Sequence, residues 1–296
     1  DYGSLSSITV SAGDLTGTVS FTPTDDSIYE GNETAIVSIS TVSGADATES
    51  GTQSVTITVT ENESTPVVTL ATSATTIAEN AGSSLTLTAT LSVATTEDVT
   101  VALGAAGTGT EGTDYSTISD ITVSAGQTTG TVSFTPTDDN VYEGNETAVV
   151  SISTVSGGSA NESGTPQEVT ITISENESTP TVTLSSSASS IAENAGSSLT
   201  LTATLSVATT ADVTVGISTS GTGTEGTDYS TISDITISAG ATTGTASFTP
   251  TDDNTYEGNE TGIVAISSVS GGSATESGNQ SVTITITENE SAPTVT

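Results

Sequence analysis

The chain has 296 residues, 36 of them acidic, and no Lys, Arg or His, so its formal net charge is −36. No carboxylate can pair with a side-chain cation, nucleic-acid phosphates find no basic partner, and anionic membrane surfaces are excluded for the same reason. Cys, Met and Trp are absent, which removes disulfides, thiol nucleophiles and Cys/His zinc sites.

The lack of sulfur oxidation sites suits a secreted or cell-surface, extracellular location. Without Lys, Lys–Asn isopeptide cross-links cannot form. No run of 18 apolar residues occurs, so direct membrane insertion by a helix is not expected, and any signal peptide is expected to lie outside this sequence. Charged residues make up only 12% of the chain, and the apolar residues alternate with polar ones in many segments. An ordered β protein is therefore expected rather than a disordered polyanion.

In chain order, residues 1–64 carry the second half of a repeated unit. Residues 65–178 and 179–291 are complete units, and 292–296 match the start of another. TDD recurs at Asp25–Asp26, Asp138–Asp139 and Asp252–Asp253, YEGNET at Tyr29, Tyr142 and Tyr256, and ENES at Glu61, Glu175 and Glu288. A period of domain size rules out a short solenoid repeat. Within 65–178 the pattern predicts strands over 67–71, 85–91, 98–103, 115–123, 130–135, 147–153 and 168–174. Leu85, Leu87, Ala89 and Leu91 alternate with Thr and Ser, as on a half-buried antiparallel strand. The fold class is all-β: tandem immunoglobulin-like seven-stranded antiparallel β-sandwiches arranged end to end. The aromatics fall at three positions per unit, at Tyr2, Phe21 and Tyr29 and their equivalents. All three positions are read as core anchors. Asn-x-Ser/Thr runs, among them those at Asn32, Asn62, Asn145, Asn161, Asn176, Asn259 and Asn289, are read as turn residues.

Strand direction then places the acids. If strands alternate, the segments following strands one, three, five and seven share one pole. They carry Glu79; Glu111 and Asp114; Asp138, Asp139, Glu143 and Glu146; and Glu175 and Glu177. The other pole carries only a few scattered acids, such as Glu97, Asp98 and Glu162. Two carboxylates about 4 Å apart repel by roughly 4 kcal/mol at an effective dielectric near 20, so a bound cation is the natural remedy. Oxygen-only ligands select hard cations, and many flexible carboxylates favour Ca2+ over Mg2+.

The run AEN…GTDY…AGQTTGTVSFTPTDDNVYEGNET…ITISENES resembles the Calx-β domain, found in sodium–calcium exchangers, integrin β4 and large bacterial surface proteins and adhesins. The resemblance implies calcium ligands at Glu79, Asp114, Asp138, Asp139, Glu143, Glu146, Glu175 and Glu177. In the next unit it implies Glu193, Asp228, Asp252, Asp253, Glu257, Glu260, Glu288 and Glu290. In the opening half-unit the same positions are Asp1, Asp25, Asp26, Glu30, Glu33, Glu61 and Glu63. The domain end reads E-N-E where calcium-binding members carry an Asp run.

No substrate cleft is indicated, and the chain is read as a non-enzyme. The expected function is a structural repeat segment of a large extracellular fibre or adhesin, stiffened by calcium at its acidic domain ends. Its partners would be calcium and neighbouring repeats. One alternative is a self-assembling filament, sheath or layer built from identical chains, and a second is a calcium-sensing regulatory module. Short Pro-containing connections, such as that at Pro180, are expected to set the acidic pole of one unit against the loops around Ala211–Asp212 and Ser273–Glu276 of the next.

Overall fold

The computed structural model of the chain describes residues 1–295. It contains strands and turns, with no helix among the described residues. The chain forms two compact units, Asp1–Ile77 with Ala81–Pro136 and Thr147–Ile173, and Ala78–Asn80 with Thr137–Glu146 and Ser174–Thr296.

The middle repeat builds two sheets. One has the order Thr129–Phe134, Leu85–Leu91, Val67–Thr72, Asn161–Glu162, and the other Thr76–Ala78, Glu168–Ser174, Glu146–Ser156, Val99–Gly107, Ile121–Val123. Period-two alternation sends one face of each strand inward. In Leu85–Leu91, Leu87, Ala89 and Leu91 are buried, and in Val99–Gly107, Val99 and Val101 are buried. The two inward faces close one core around Val68, Leu87, Ile121, Phe134 and Ile171. Tyr115 stacks on Phe134 with ring centroids 4.9 Å apart.

The third repeat follows the same plan, with sheets Thr243–Phe248, Leu199–Leu205, Thr181–Ser186, Thr275–Glu276 and Ser190–Ala192, Ser281–Thr287, Glu260–Ser270, Val213–Gly221, Ile235–Ile237. Its core centres on Leu201, Tyr229, Ile235, Phe248 and Ile284. Gly221, at φ 124°, ends Val213–Gly221 where a Cβ would lie 2.1 Å from the Thr261 carbonyl oxygen, so only glycine fits.

Two expectations are corrected. Residues 115–123 are not one strand: only Ile121–Val123 is, and Tyr115 makes isolated bridges to Glu111 and Pro136. The cause is local. Glu111 Oε1 accepts the Ile118 N–H at 2.7 Å, so a side-chain acceptor takes a donor that a ladder would need. The third aromatic position is not core either. Tyr29 and Tyr142 are half-buried and Tyr256 is 45% exposed.

Tyr29 and Tyr142 lie in two-residue segments with partners that the repeat pattern did not reveal. Ile28–Tyr29 pairs in parallel with Ala94–Thr95 in the first unit. Val141–Tyr142 pairs in parallel with Ala208–Thr209 in the second.

Candidate metal centre

The third repeat shows how the carboxylates are held. Strand Ser281–Thr287 runs out into the E-N-E segment. There Glu288 Oε1 accepts the N–H groups of Asn289 and Glu290, each at 2.9 Å. Its other oxygen accepts the N–H groups of Glu257 and Gly258 at 2.6 and 2.8 Å. Asn259 Oδ1 returns the link by accepting the Glu288 N–H at 3.0 Å. One carboxylate thus clamps the domain-end run to the Tyr-Glu-Gly turn, where Gly258 has φ 79°. Glu175 does the same with Glu143, Gly144 and Asn145, and Glu61 with Glu30, Gly31 and Asn32. The Asn residues are therefore turn acceptors, as their spacing implies.

Around this clamp, acids gather in threes. Glu193, Glu288 and Glu290 form one group and Asp228, Glu257 and Glu260 another, each with one oxygen per residue within 4.8 Å of the others. Glu79, Glu175 and Glu177 form a group of the same kind, as do Asp1, Glu30 and Glu33.

The Asp pair of the TDD turn stays outside these trios. Asp26, Asp139 and Asp253 each accept the N–H two residues on, at 2.8, 2.7 and 2.6 Å, a turn-closing role. Asp25 accepts from Asn62 Nδ2 at 3.0 Å. Asp138 and Asp252 act at longer range, their charges raising Glu177 and Glu290 respectively. Glu61 and Glu63 lie together, with the Glu63 N–H on Glu61 Oε1 at 3.0 Å, but belong to no trio. Glu225, equivalent to Glu111, serves structure: it accepts the Ile232 N–H at 2.7 Å and the Thr219 hydroxyl at 2.6 Å. At the opposite pole Asp98 accepts the Ala125 N–H at 2.8 Å.

Crowding shows in the protonation of the groups. Burial, then the charges of Glu175, Glu177 and Asp139, push Glu79 up to about 7. Its side chain is only 8% exposed. The hydrogen bond with Glu288, then burial, raises Glu290 to about 7. The N–H groups of Glu290 and Glu257 hold Glu288 down at about 2. Burial followed by the charge of Asp228 raises both Glu257 and Glu260. The Glu288–Glu290 pair has no side-chain cation to relieve its crowding.

The oxygen donor set fits a hard divalent cation. Glu177 Oε2 and Glu290 Oε2 are buried without a hydrogen-bond partner. An orphaned buried carboxylate oxygen is costly unless something positive faces it.

The Calx-beta domain model matches residues 6–63, 61–177 and 175–290. No curated protein matches the chain in sequence. Among solved structures, CBD12 from CALX1.2 is 15% identical, covers 74% of this chain and 100% of its own, and gives a TM-score of 0.33. Invasin, a bacterial integrin-binding protein, is 18% identical and covers 75% of this chain and 40% of its own, at a TM-score of 0.36. The Yersinia pseudotuberculosis adhesin InvE is 14% identical and covers 75% and 58%, at 0.29.

Proposed function

The chain belongs to the Calx-beta domain family, and from that premise we propose that it is a calcium-binding structural repeat segment of a secreted or surface-displayed fibre or adhesin. The observation that carries the reading is the pairing of three-carboxylate groups with buried, partnerless Glu177 and Glu290 oxygens in a chain with no basic side chain. Glu193, Glu288 and Glu290 would hold one Ca2+ and Asp228, Glu257 and Glu260 another. The middle repeat would use Glu79, Glu175 and Glu177. The bound ion would supply the positive charge that the side chains lack. Asp139 and Asp253 would support these sites by shaping the turn, and Asp138 and Asp252 by their charge.

Near-identical tandem copies suit length and stiffness rather than switching, and calcium pinning of the clamp loops would stiffen each domain end. The test is thermal unfolding of the chain in calcium and in EDTA. A ligand bound only to the folded state at about 100 times its dissociation constant adds roughly 2.7 kcal/mol per site, so melting should rise by several degrees. Glu288→Gln should remove much of that rise and Asp98→Asn almost none. An unchanged melting temperature in calcium would sink the reading.

A further inference from the structure

We propose that the Thr255–Tyr256 edge of the third repeat is a docking site for the Ala-Thr-Thr turn of a further β-sandwich repeat, seated as a two-residue parallel bridge. The chain shows this arrangement twice. Ile28 lies opposite Ala94 and Tyr29 opposite Thr95. Val141 lies opposite Ala208 and Tyr142 opposite Thr209, in the same register. Thr255–Tyr256 occupies the same sequence position and has no strand partner among the described residues.

The receiving turn is built the same way both times. Thr95 and Thr209 are each 1% exposed. Their hydroxyls donate to the carbonyls of Glu97 and Ala211, both at 2.7 Å. Their carbonyls accept the N–H groups of Gly126 and Gly240, both at 2.8 Å. Gly158 and Gly272, each at φ 52°, press so close that a Cβ would meet the Thr side chain at 2.9 and 2.7 Å. The repeat that owns the turn therefore fixes it, which leaves a rigid edge for an incoming segment.

The free donor edge is equally prepared. Thr255 N–H is held by Asp253 Oδ1 at 2.6 Å, as Val141 N–H is by Asp139. The Glu257 and Gly258 N–H groups are clamped by Glu288, as those of Glu143 and Gly144 are by Glu175. What differs is cover: Val141, Tyr142 and Glu143 are half-buried, while Thr255, Tyr256 and Glu257 are exposed. Thr255 is β-branched like Ile28 and Val141 and suits an added strand. A short, preorganised, unpaired edge is the feature that strand addition exploits. A second copy of this chain is not the occupant, because its Ala94–Thr95 and Ala208–Thr209 turns are already filled.

Tyrosine nitration by tetranitromethane, read residue by residue by mass spectrometry, tests this. In the chain itself Tyr256 should react about tenfold faster than Tyr142, whose bridge protects it. Continuing the chain after Pro293 with a second copy of residues 181–291 should bring Tyr256 down to the Tyr142 rate. Equal rates at Tyr142 and Tyr256 in the present chain would overturn the proposal, since the existing bridge would then give no cover. So would an unchanged Tyr256 rate in the extended chain while the copied Tyr229 is protected.

Discussion

Ile8 and Ile121 hold the same position in two copies of the same half-repeat, yet Ile8 is 54% exposed and Ile121 is fully buried. Val10 and Val123 differ in the same way, at 53% and 0%, and Tyr2 and Tyr115 at 46% and 1%. Local geometry is not what separates them. A Cβ on Gly17 would meet the Thr9 carbonyl oxygen at 2.4 Å, and one on Gly130 would meet that of Thr122 at the same distance. The opening segment also keeps its hairpin, Glu33–Ser38 against Ser54–Val59. It lacks counterparts of Val67–Thr72, Leu85–Leu91 and Val99–Gly107, the strands that cover Ile121 and Phe134. Residues 8–10, equivalent to Ile121–Val123, are accordingly not a strand. Near-identical sequence yields near-identical turns, but a core forms only where both sheets are present.

The strongest way to break that comparison is to supply the missing strands. A copy of residues 66–113 placed directly before Asp1 should bury Tyr2, Ile8 and Val10 and give the opening segment its own cooperative unfolding transition. A domain core is worth on the order of 5 kcal/mol net. Unchanged amide dispersion across residues 1–64 would show that the segment is not half of a sandwich.

The next effect compares single side chains. Ile121→Ala should cost about 2–5 kcal/mol by leaving a cavity in a closed core, and Ile8→Ala should cost under about 0.5 kcal/mol. Urea unfolding of each variant decides, and equal costs would mean that the opening segment is covered in solution.

The smallest effect is in pH dependence measured in EDTA. Folded Glu79 holds its proton up to about 7, whereas the unfolded chain releases it near 4.5. Between those values the folded state binds more protons, so this group's contribution is present below 4.5 and is lost as pH rises through 7. Glu61 runs the other way. Held near 2 by the N–H groups of Glu63 and Glu30, it stabilises above 4.5, and that contribution is lost as pH falls toward 2. Glu79→Gln should therefore flatten the slope between about pH 5 and 7 and leave the acid limb unchanged. A slope that survives Glu79→Gln would assign the effect to other carboxyls.

Several features of the site were legible in the sequence. Alternating strand direction placed Glu79, Glu175 and Glu177 at one pole from residues some 100 positions apart, and they lie together. The same reasoning could not separate the acids that gather in threes from turn acids. Asp139 and Glu143 are four residues apart, and only the backbone path shows that Asp139 turns back on the Val141 N–H. Glu111 follows the same strand as Asp114, and its carboxylate accepts the Ile118 N–H. Tyr142 was read as a core anchor because aromatics usually are. A two-residue pairing with Ala208–Thr209 leaves no periodic mark that could reveal it.

The sequence by itself determined the repeat register, the inward face of each strand and the absence of any internal counter-cation, because these depend on composition and period alone. Tertiary structure decided which carboxylates come within 4.8 Å of one another, which aromatics are buried and which edge stays free. Those outcomes depend on through-space distances and on strands contributed from elsewhere in the chain. A residue's own neighbours in sequence do not encode either, as Ile8 and Ile121 show.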